Sequence, residues 1–108
     1  MDEVIGVCRK CRYAAKGWVG CGMLELDHLW FPCRCTKCEE MINGDLKQGA
    51  KCPTCGGETT PYDDPSLIAT VGENTESQAW DLILTDGNYV CPKCGAPNFT
   101  FGVVATLD

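Results

Sequence analysis

The stretch 31–57, FPCRCTKCEEMINGDLKQGAKCPTCGG, decides the fold. It contains Cys35-x-x-Cys38 and Cys52-x-x-Cys55. Thiols three residues apart on a tight turn point the same way. Two such turns face to face place four sulfurs at the corners of a tetrahedron, the arrangement a structural zinc takes. The pattern recurs at Cys8-x-x-Cys11 and Cys91-x-x-Cys94. Four such knuckles in one short chain imply two metal sites and a Zn2+ ion in each.

The 108 residues suggest a single compact unit. A chain of this size buries only a modest core, so metal supplies stability that packing does not. The start, MDEVIG, is acidic and leads into no apolar run, so no export signal is expected. No stretch approaches the length of a membrane span. A cytoplasmic location follows as the expectation, and in a reducing compartment this spacing favours metal over disulfides.

The net charge of −6 is unevenly spread. Up to Gly56 eight basic residues meet seven acids; beyond it Lys93 alone faces eight. Each four-thiolate zinc site adds a charge of about −2 that formal counting omits. Such acidity argues against non-specific binding to a phosphate backbone, which needs a basic surface.

The chain reads as mainly β with little helix. Val4 to Val7 is an apolar run entering the first knuckle. Trp18 to Leu26 and Leu29 to Phe31 are expected to form a hairpin about Asp27-His28, with Pro32 ending the second strand. Asn43-Gly44-Asp45 reads as a turn. A short strand is expected over Glu58 to Tyr62, and another apolar run lies at Leu67 to Val71. The polar stretch Gly72 to Ser77 is the candidate mobile loop. Thr75 and Gln78 have the spacing of a capping box for a helical turn carrying Trp80, with a strand from Trp80 to Thr85 as the alternative. Asp86-Gly87-Asn88 reverses the chain into Tyr89-Val90, and Asn98 to Thr106 reads as a terminal strand. Trp30, Trp80 and Phe101 are expected in the core.

The knuckles are of two kinds. Cys55 and Cys94 precede a glycine, whereas Cys11 and Cys38 precede Arg12 and Glu39. The simplest arrangement gives each metal one knuckle of each kind. Cys35, Cys38, Cys52 and Cys55 then form one site, and Cys8, Cys11, Cys91 and Cys94 the other. Lengthening the closed loop from about 13 to about 79 residues costs about 1.6 kcal/mol. Zinc binding contributes on the order of 10–16 kcal/mol, so distance does not exclude the long closure. The units are then nested: an inner ribbon at 29–62, an outer ribbon from 4–26 and 80–106, and a polar connecting loop at 63–79. The rival joins Cys8/Cys11 to Cys35/Cys38 and Cys52/Cys55 to Cys91/Cys94. Cys21 and Cys33 are left over. They read as buried small hydrophobes, with Cys33 in place of Cys35 as a ligand, or a Cys21–Cys33 pair, as the sharper alternatives.

On CTKC…CPTCGG, and on CRKC…CPKCGA followed by a strand, the chain resembles the zinc-ribbon group, including its rubredoxin-like members. The resemblance covers about a third of the chain and implies fold and metal rather than function. Carried over residue by residue, it implies ligand roles for the eight knuckle cysteines only. The rubredoxin branch implies iron and electron transfer. Here Arg12 and Glu39 replace a glycine of that branch, and 39–51 holds no aromatic residue to shield a metal, which favours zinc.

For function, a site closed by four cysteines has no open position for catalysis. His28, the only histidine, reads as a surface residue near a turn. A non-enzymatic protein-interaction module or adaptor is expected, with zinc purely structural and a protein partner carrying a basic surface. Asp63, Asp64, Glu73, Glu76, Asp81 and Asp86 are the candidate contact face. An acidic inhibitor of a nucleic-acid-processing enzyme, of the kind phages and mobile elements carry, is the alternative, and a rubredoxin-like electron carrier a further one. Arg9, Lys10, Arg12 and Lys16 with Tyr13 and Trp18 have the composition of a single-strand binder. The reading preferred for those cations is that they offset the charge of a thiolate site.

Overall fold

A computed structural model of the chain describes residues 1–21 and 27–106. It is mainly β. In chain order the strands are β1 (Asp2–Cys8), β2 (Ala14–Val19), β3 (Trp30–Cys35), β4 (Glu40–Asp45) and β5 (Thr60–Pro61). There follow β6 (Ile68–Thr70), β7 (Thr75–Ala79), β8 (Leu82–Thr85), β9 (Asn88–Tyr89) and β10 (Phe99–Thr106). Single 3-10 turns lie at Leu46–Gln48 and Pro65–Leu67.

Two hairpins are built the same way. β1 runs into Cys8, the first knuckle reverses the chain, and β2 returns with Ala14 opposite Val7. β3 runs into Cys35, the second knuckle reverses the chain, and β4 returns with Glu40 opposite Cys35. In each, a strand following the other knuckle then pairs with the first strand of the hairpin: β5 with β3, and β10 with β1. The orders β4-β3-β5 and β2-β1-β10 are therefore equivalent, and the first set lies inside the second in sequence. β9 and β6 extend the outer set to a five-stranded sheet, while β7 and β8 form a hairpin of their own.

The main core is aromatic. Tyr62, Tyr89, Phe99 and Phe101 pack mostly edge to face, with centroids 5.0 Å apart for Tyr89–Phe101 and 5.3 Å for Tyr62–Phe101. Edge-to-face contact suits ring quadrupoles. The alternation of β10 supplies it: Phe99 and Phe101 point inward, whereas Val103 and Val104 are exposed. Burying two tyrosines requires partners for their hydroxyls. Tyr62 donates to the Val90 carbonyl at 3.0 Å, and the Thr85 N–H donates to Tyr89 at 2.9 Å. Gly6 lies in β1 against the Phe99 ring, where a Cβ would collide with it. A second, smaller core surrounds the inner cysteines, with Cys33, Ile42 and Ala50 buried beside Cys35 and Cys52.

Several expectations are corrected. Of the hairpin about Asp27-His28 the described residues show the antiparallel bridge Gly20–Trp30, while β2 itself pairs with β1. The remainder of that expectation, 22–26, lies outside the described residues. Pro32 does not end a strand; β3 continues to Cys35, and the Pro32 carbonyl accepts the Tyr62 N–H at 3.0 Å. Asn43-Gly44-Asp45 is no turn but the end of β4. Each of its turn-type residues has a tertiary use. The Asn43 side-chain oxygen accepts from Trp18 N–H at 2.9 Å, tying β4 to β2. A Cβ on Gly44 would lie 2.6 Å from Cys33 Sγ. Asp45 caps the turn Leu46–Gln48, accepting from Lys47 N–H at 3.2 Å and from Leu29 N–H at 3.0 Å.

The segment 63–79 is not a plain polar loop. It carries a 3-10 turn, β6 and β7, and Thr75 to Gln78 is extended rather than helical. Strand pairing overrides the local capping signal, since Gln78 sits opposite Ile83. Phe101 is in the core as expected. Trp30 is only half-buried and stacks on His28 with centroids 5.5 Å apart. Trp80 is 61% exposed.

Two predictions follow from this packing. Gly6→Ala should destabilise the metal-loaded protein by about 1–3 kcal/mol, because the Phe99 ring is held on all sides by other rings. Asp45→Ala should cost about 2 kcal/mol by loss of the cap and of two N–H partners. Denaturant unfolding followed by far-UV circular dichroism reads both; midpoints equal to the parent's would refute them.

Candidate metal centres

Three knuckles share one backbone device. The first cysteine's N–H closes the turn onto a carbonyl five residues on: Cys8 to Tyr13 at 2.8 Å, Cys52 to Gly57 at 3.0 Å, and Cys91 to Ala96 at 2.9 Å. In the fourth, Cys35 pairs with Glu40, also five residues on. The residue after the second cysteine is left-handed in every knuckle, with φ of 66° at Arg12, 54° at Glu39, 70° at Gly56 and 75° at Gly95. Glycine adopts this conformation at least cost, yet Arg12 and Glu39 adopt it too. The two kinds of knuckle therefore differ in residue and in setting, not in the conformation at that position. Arg12 and Glu39 stand where a knuckle turns a hairpin, whereas the glycines stand in knuckles that link loops.

Within the knuckle turns, amides also point at sulfur. Cys11 N–H donates to Cys8 Sγ, Cys38 N–H to Cys35 Sγ, and Cys94 N–H to Cys91 Sγ, each at 3.4 Å. Donors of this kind offset thiolate charge and fix ligand orientation.

The knuckles meet in two cages. One gathers Cys35, Cys38, Cys52 and Cys55, the other Cys8, Cys11, Cys91 and Cys94; within each, all four sulfurs lie within 4.8 Å of one another. Sulfur separations are 3.6 Å for Cys35–Cys55 and 3.9 Å for Cys38–Cys52. They are 3.6 Å for both Cys8–Cys94 and Cys11–Cys91. A tetrahedron with metal–sulfur bonds of about 2.3 Å has edges of about 3.8 Å, whereas a disulfide needs about 2.05 Å. The cages thus have the size for one metal ion each. The backbone brings together one knuckle of each kind in each cage, and not the rival combination.

Without metal the sulfurs are unequal. The Cys55 N–H is the largest influence on Cys52, whose thiol is lowered to about 6. Burial pushes the Cys8 thiol up, but the N–H groups of Cys11 and Lys10 outweigh it and bring it to about 6. Cys38 is raised to about 12, chiefly by sharing its proton with Cys55, and Cys91 to about 12, chiefly by burial. A metal ion must displace the protons from Cys38 and Cys91. The cages also differ in access. Cys11 and Cys94 of the outer cage are exposed, whereas Cys38 and Cys55 of the inner cage are half-buried.

Neither leftover cysteine is a member of a cage. Cys33 is fully buried, and burial pushes its thiol up to about 11, as expected for an inert small hydrophobe. Cys21 is half-buried rather than buried. His28 is more than a surface residue: its Nδ1 is 2.5 Å from Asp45 Oδ2. Asp45 is pushed up by burial, but the Leu29 N–H and His28 outweigh this and hold it below the usual carboxylate range.

The six acids of the expected contact face fall into two groups. Asp64 and Asp86 organise the backbone. Asp64 accepts from Ser66 N–H at 2.9 Å and from its hydroxyl at 2.7 Å. Asp86 accepts from Asn74 N–H at 3.1 Å and from its side-chain amide at 2.9 Å. Glu73 and Asp81 are exposed, Glu76 and Asp63 half-buried. Asp63 is raised by its burial and by the charges of Asp64 and Asp81. At the first knuckle, Tyr13 is no free stacking platform. Its hydroxyl accepts the Met41 N–H at 3.0 Å, and its ring packs toward Phe99.

Metal binding should release protons and weaken in acid. Affinity should fall as the pH drops, and more steeply below about 6, where Cys8 and Cys52 also hold protons. Native mass spectrometry across pH reads the occupancy; full loading at pH 4 would contradict this. Cys33→Ala should retain both ions, whereas Cys35→Ser should lose one.

No helix among the described residues is long and apolar enough to cross a membrane. Comparison of the chain with protein-family models, with curated proteins and with solved structures finds no match.

Proposed function

We propose that this chain is a non-enzymatic interaction module, held together by two structural zinc ions and working in a reducing compartment such as the cytoplasm. The observation that carries the reading is the completeness of the two cages: four sulfurs each, at tetrahedral spacing, among the described residues. A four-thiolate zinc site leaves no position for substrate. Zinc suits a purely thiolate tetrahedral set and does no redox chemistry. The ions clamp the turn ends of the two ribbons, leaving the surface of the second half for contact.

The contact face in this reading is acidic and meets a basic partner. Asp64 and Asp86 serve the fold, so the face is narrowed to Asp63, Glu73, Glu76 and Asp81. A second reading, an acidic inhibitor of a nucleic-acid-processing enzyme, draws on the same carboxylates. Competition with DNA for one target separates the two.

Charge reversal of Glu73 and Asp81 should abolish capture of a basic partner protein while leaving the far-UV spectrum and both zinc ions in place. Capture as strong as the parent's would overturn the acidic-face reading. Elemental analysis giving iron, with a reversible potential, would overturn the structural-zinc reading.

A further inference from the structure

The two cages follow one plan but do not stand equally open. In the inner cage Cys38 and Cys55 are half-buried and rest against the small core around Ile42 and Ala50. In the outer cage Cys8 and Cys91 are buried, whereas Cys11 and Cys94 are exposed. One cysteine of each outer knuckle therefore faces solvent.

Hydrogen bonding widens the difference. Gly57 N–H donates to Cys55 Sγ of the inner cage at 3.4 Å. In the outer cage the amides serve the buried sulfurs. Cys11 N–H donates to Cys8 Sγ, and the N–H groups of Lys93 and Cys94 donate to Cys91 Sγ, each at 3.4 Å. Among the described residues no N–H donates to Cys11 or Cys94 Sγ. A thiolate that accepts no hydrogen bond keeps its electron density and is the stronger nucleophile. A metal ion holds its thiols deprotonated, and thiolate character with exposure is what exposes a cysteine to oxidation. Each open sulfur also has a partner within reach across the cage. Cys8 Sγ lies 3.6 Å from Cys94 Sγ, and Cys91 Sγ 3.6 Å from Cys11 Sγ.

From this we infer that the outer cage is an oxidant-responsive metal site. A peroxide converts its thiolates to disulfide and so discharges its ion, while the inner cage keeps its own. The inference rests on the reading of two zinc-loaded cages and gives the outer one a second role. Cys94 Sγ attacks one oxygen of the peroxide; the O–O bond breaks, hydroxide leaves, and a sulfenic acid forms. Cys8 Sγ then attacks that sulfur; the S–S bond forms, the S–O bond breaks, and a second hydroxide leaves. The two thiolates are oxidised by two electrons in all, and the peroxide is reduced by two. The two thiolates that remain cannot complete a tetrahedral site. Because Cys8 and Cys94 lie across the cage, the two parts of the chain stay joined after the ion has gone.

The test uses the full chain, reduced, loaded with zinc and freed of reductant. Hydrogen peroxide is added in steps. A chromogenic chelator reads the zinc released, native mass spectrometry the ions retained, and peptide mapping after alkylation of free thiols the disulfides formed. One ion should leave and one should stay, with the first disulfide among Cys8, Cys11, Cys91 and Cys94. Reductant and fresh zinc should then restore the second ion. Cys21→Ala with Cys33→Ala should leave this course unchanged, because neither residue belongs to a cage. As a second measurement, a neutral alkylating agent on the zinc-loaded protein should label Cys11 and Cys94 before any cysteine of the inner cage.

Release of the inner ion first, release of both ions together, or retention of both under excess peroxide would overturn the inference and leave the structural-zinc reading standing. Labelling of Cys38 or Cys55 ahead of Cys11 and Cys94 would do the same. If the fresh, reduced protein holds no zinc before peroxide is added, the structural-zinc reading falls and takes the inference with it.

Discussion

Everything in this fold hangs on the closing of Cys8 and Cys11 onto Cys91 and Cys94. The 3.6 Å contact between Cys8 and Cys94 joins residues 86 apart. A metal ion held at that point would fix the relative position of β1 and β10, whose pairing forms the floor of the aromatic core. The core in turn depends on that register, because Phe99 and Phe101 reach Tyr62 and Tyr89 only while β10 lies against β1. Burial of these few rings is a small reserve for a chain this short, so the metal-bound turns and the core stand or fall together.

The inner ribbon repeats the same solution on a local scale. A hairpin turned by one knuckle, a second knuckle in a loop, and a short strand added to the hairpin's first strand make up each unit. Repetition of the plan puts the first sulfur of each knuckle inward and the second outward, as Cys35 and Cys52 are buried while Cys38 and Cys55 lie nearer the surface. The two units share the main core, to which the inner ribbon gives Phe31, Met41 and Tyr62, and polar contacts tie them at its side. Trp18 N–H reaches Asn43, and Met41 N–H reaches the Tyr13 hydroxyl. These bonds occupy groups along β2 and β4 that would otherwise be open edges.

The division of labour among the acids shows why a charge count is a coarse guide to a contact surface. Asp45, Asp64 and Asp86 are fixed by backbone N–H groups and belong to the architecture. Asp81 and Glu73 face solvent. The distinction depends on which N–H groups lie nearby, and the fold alone places them.

Knuckle spacing marked the eight cage cysteines, because each Cys-x-x-Cys turn is local, and short apolar runs between turn residues marked the mainly β class and the strand at β10. The need of so short a chain to bury its large aromatics likewise marked Phe101 as core. The rest needed the tertiary structure. Asn43-Gly44-Asp45 carries every local mark of a turn, yet it is strand, since Gly44 serves close packing against Cys33 and its neighbours serve distant N–H groups. Thr75 to Gln78 carries a helix cap, yet it is strand, since β8 offers its backbone a partner. Trp80 looks like core by composition and is mostly exposed, since it stands at the tip of a two-residue hairpin turn, with Lys47 over its ring. Short-range chemistry thus settled which cysteines form knuckles. Long-range packing settled which knuckles meet, which polar residues are structural and which side chains face solvent.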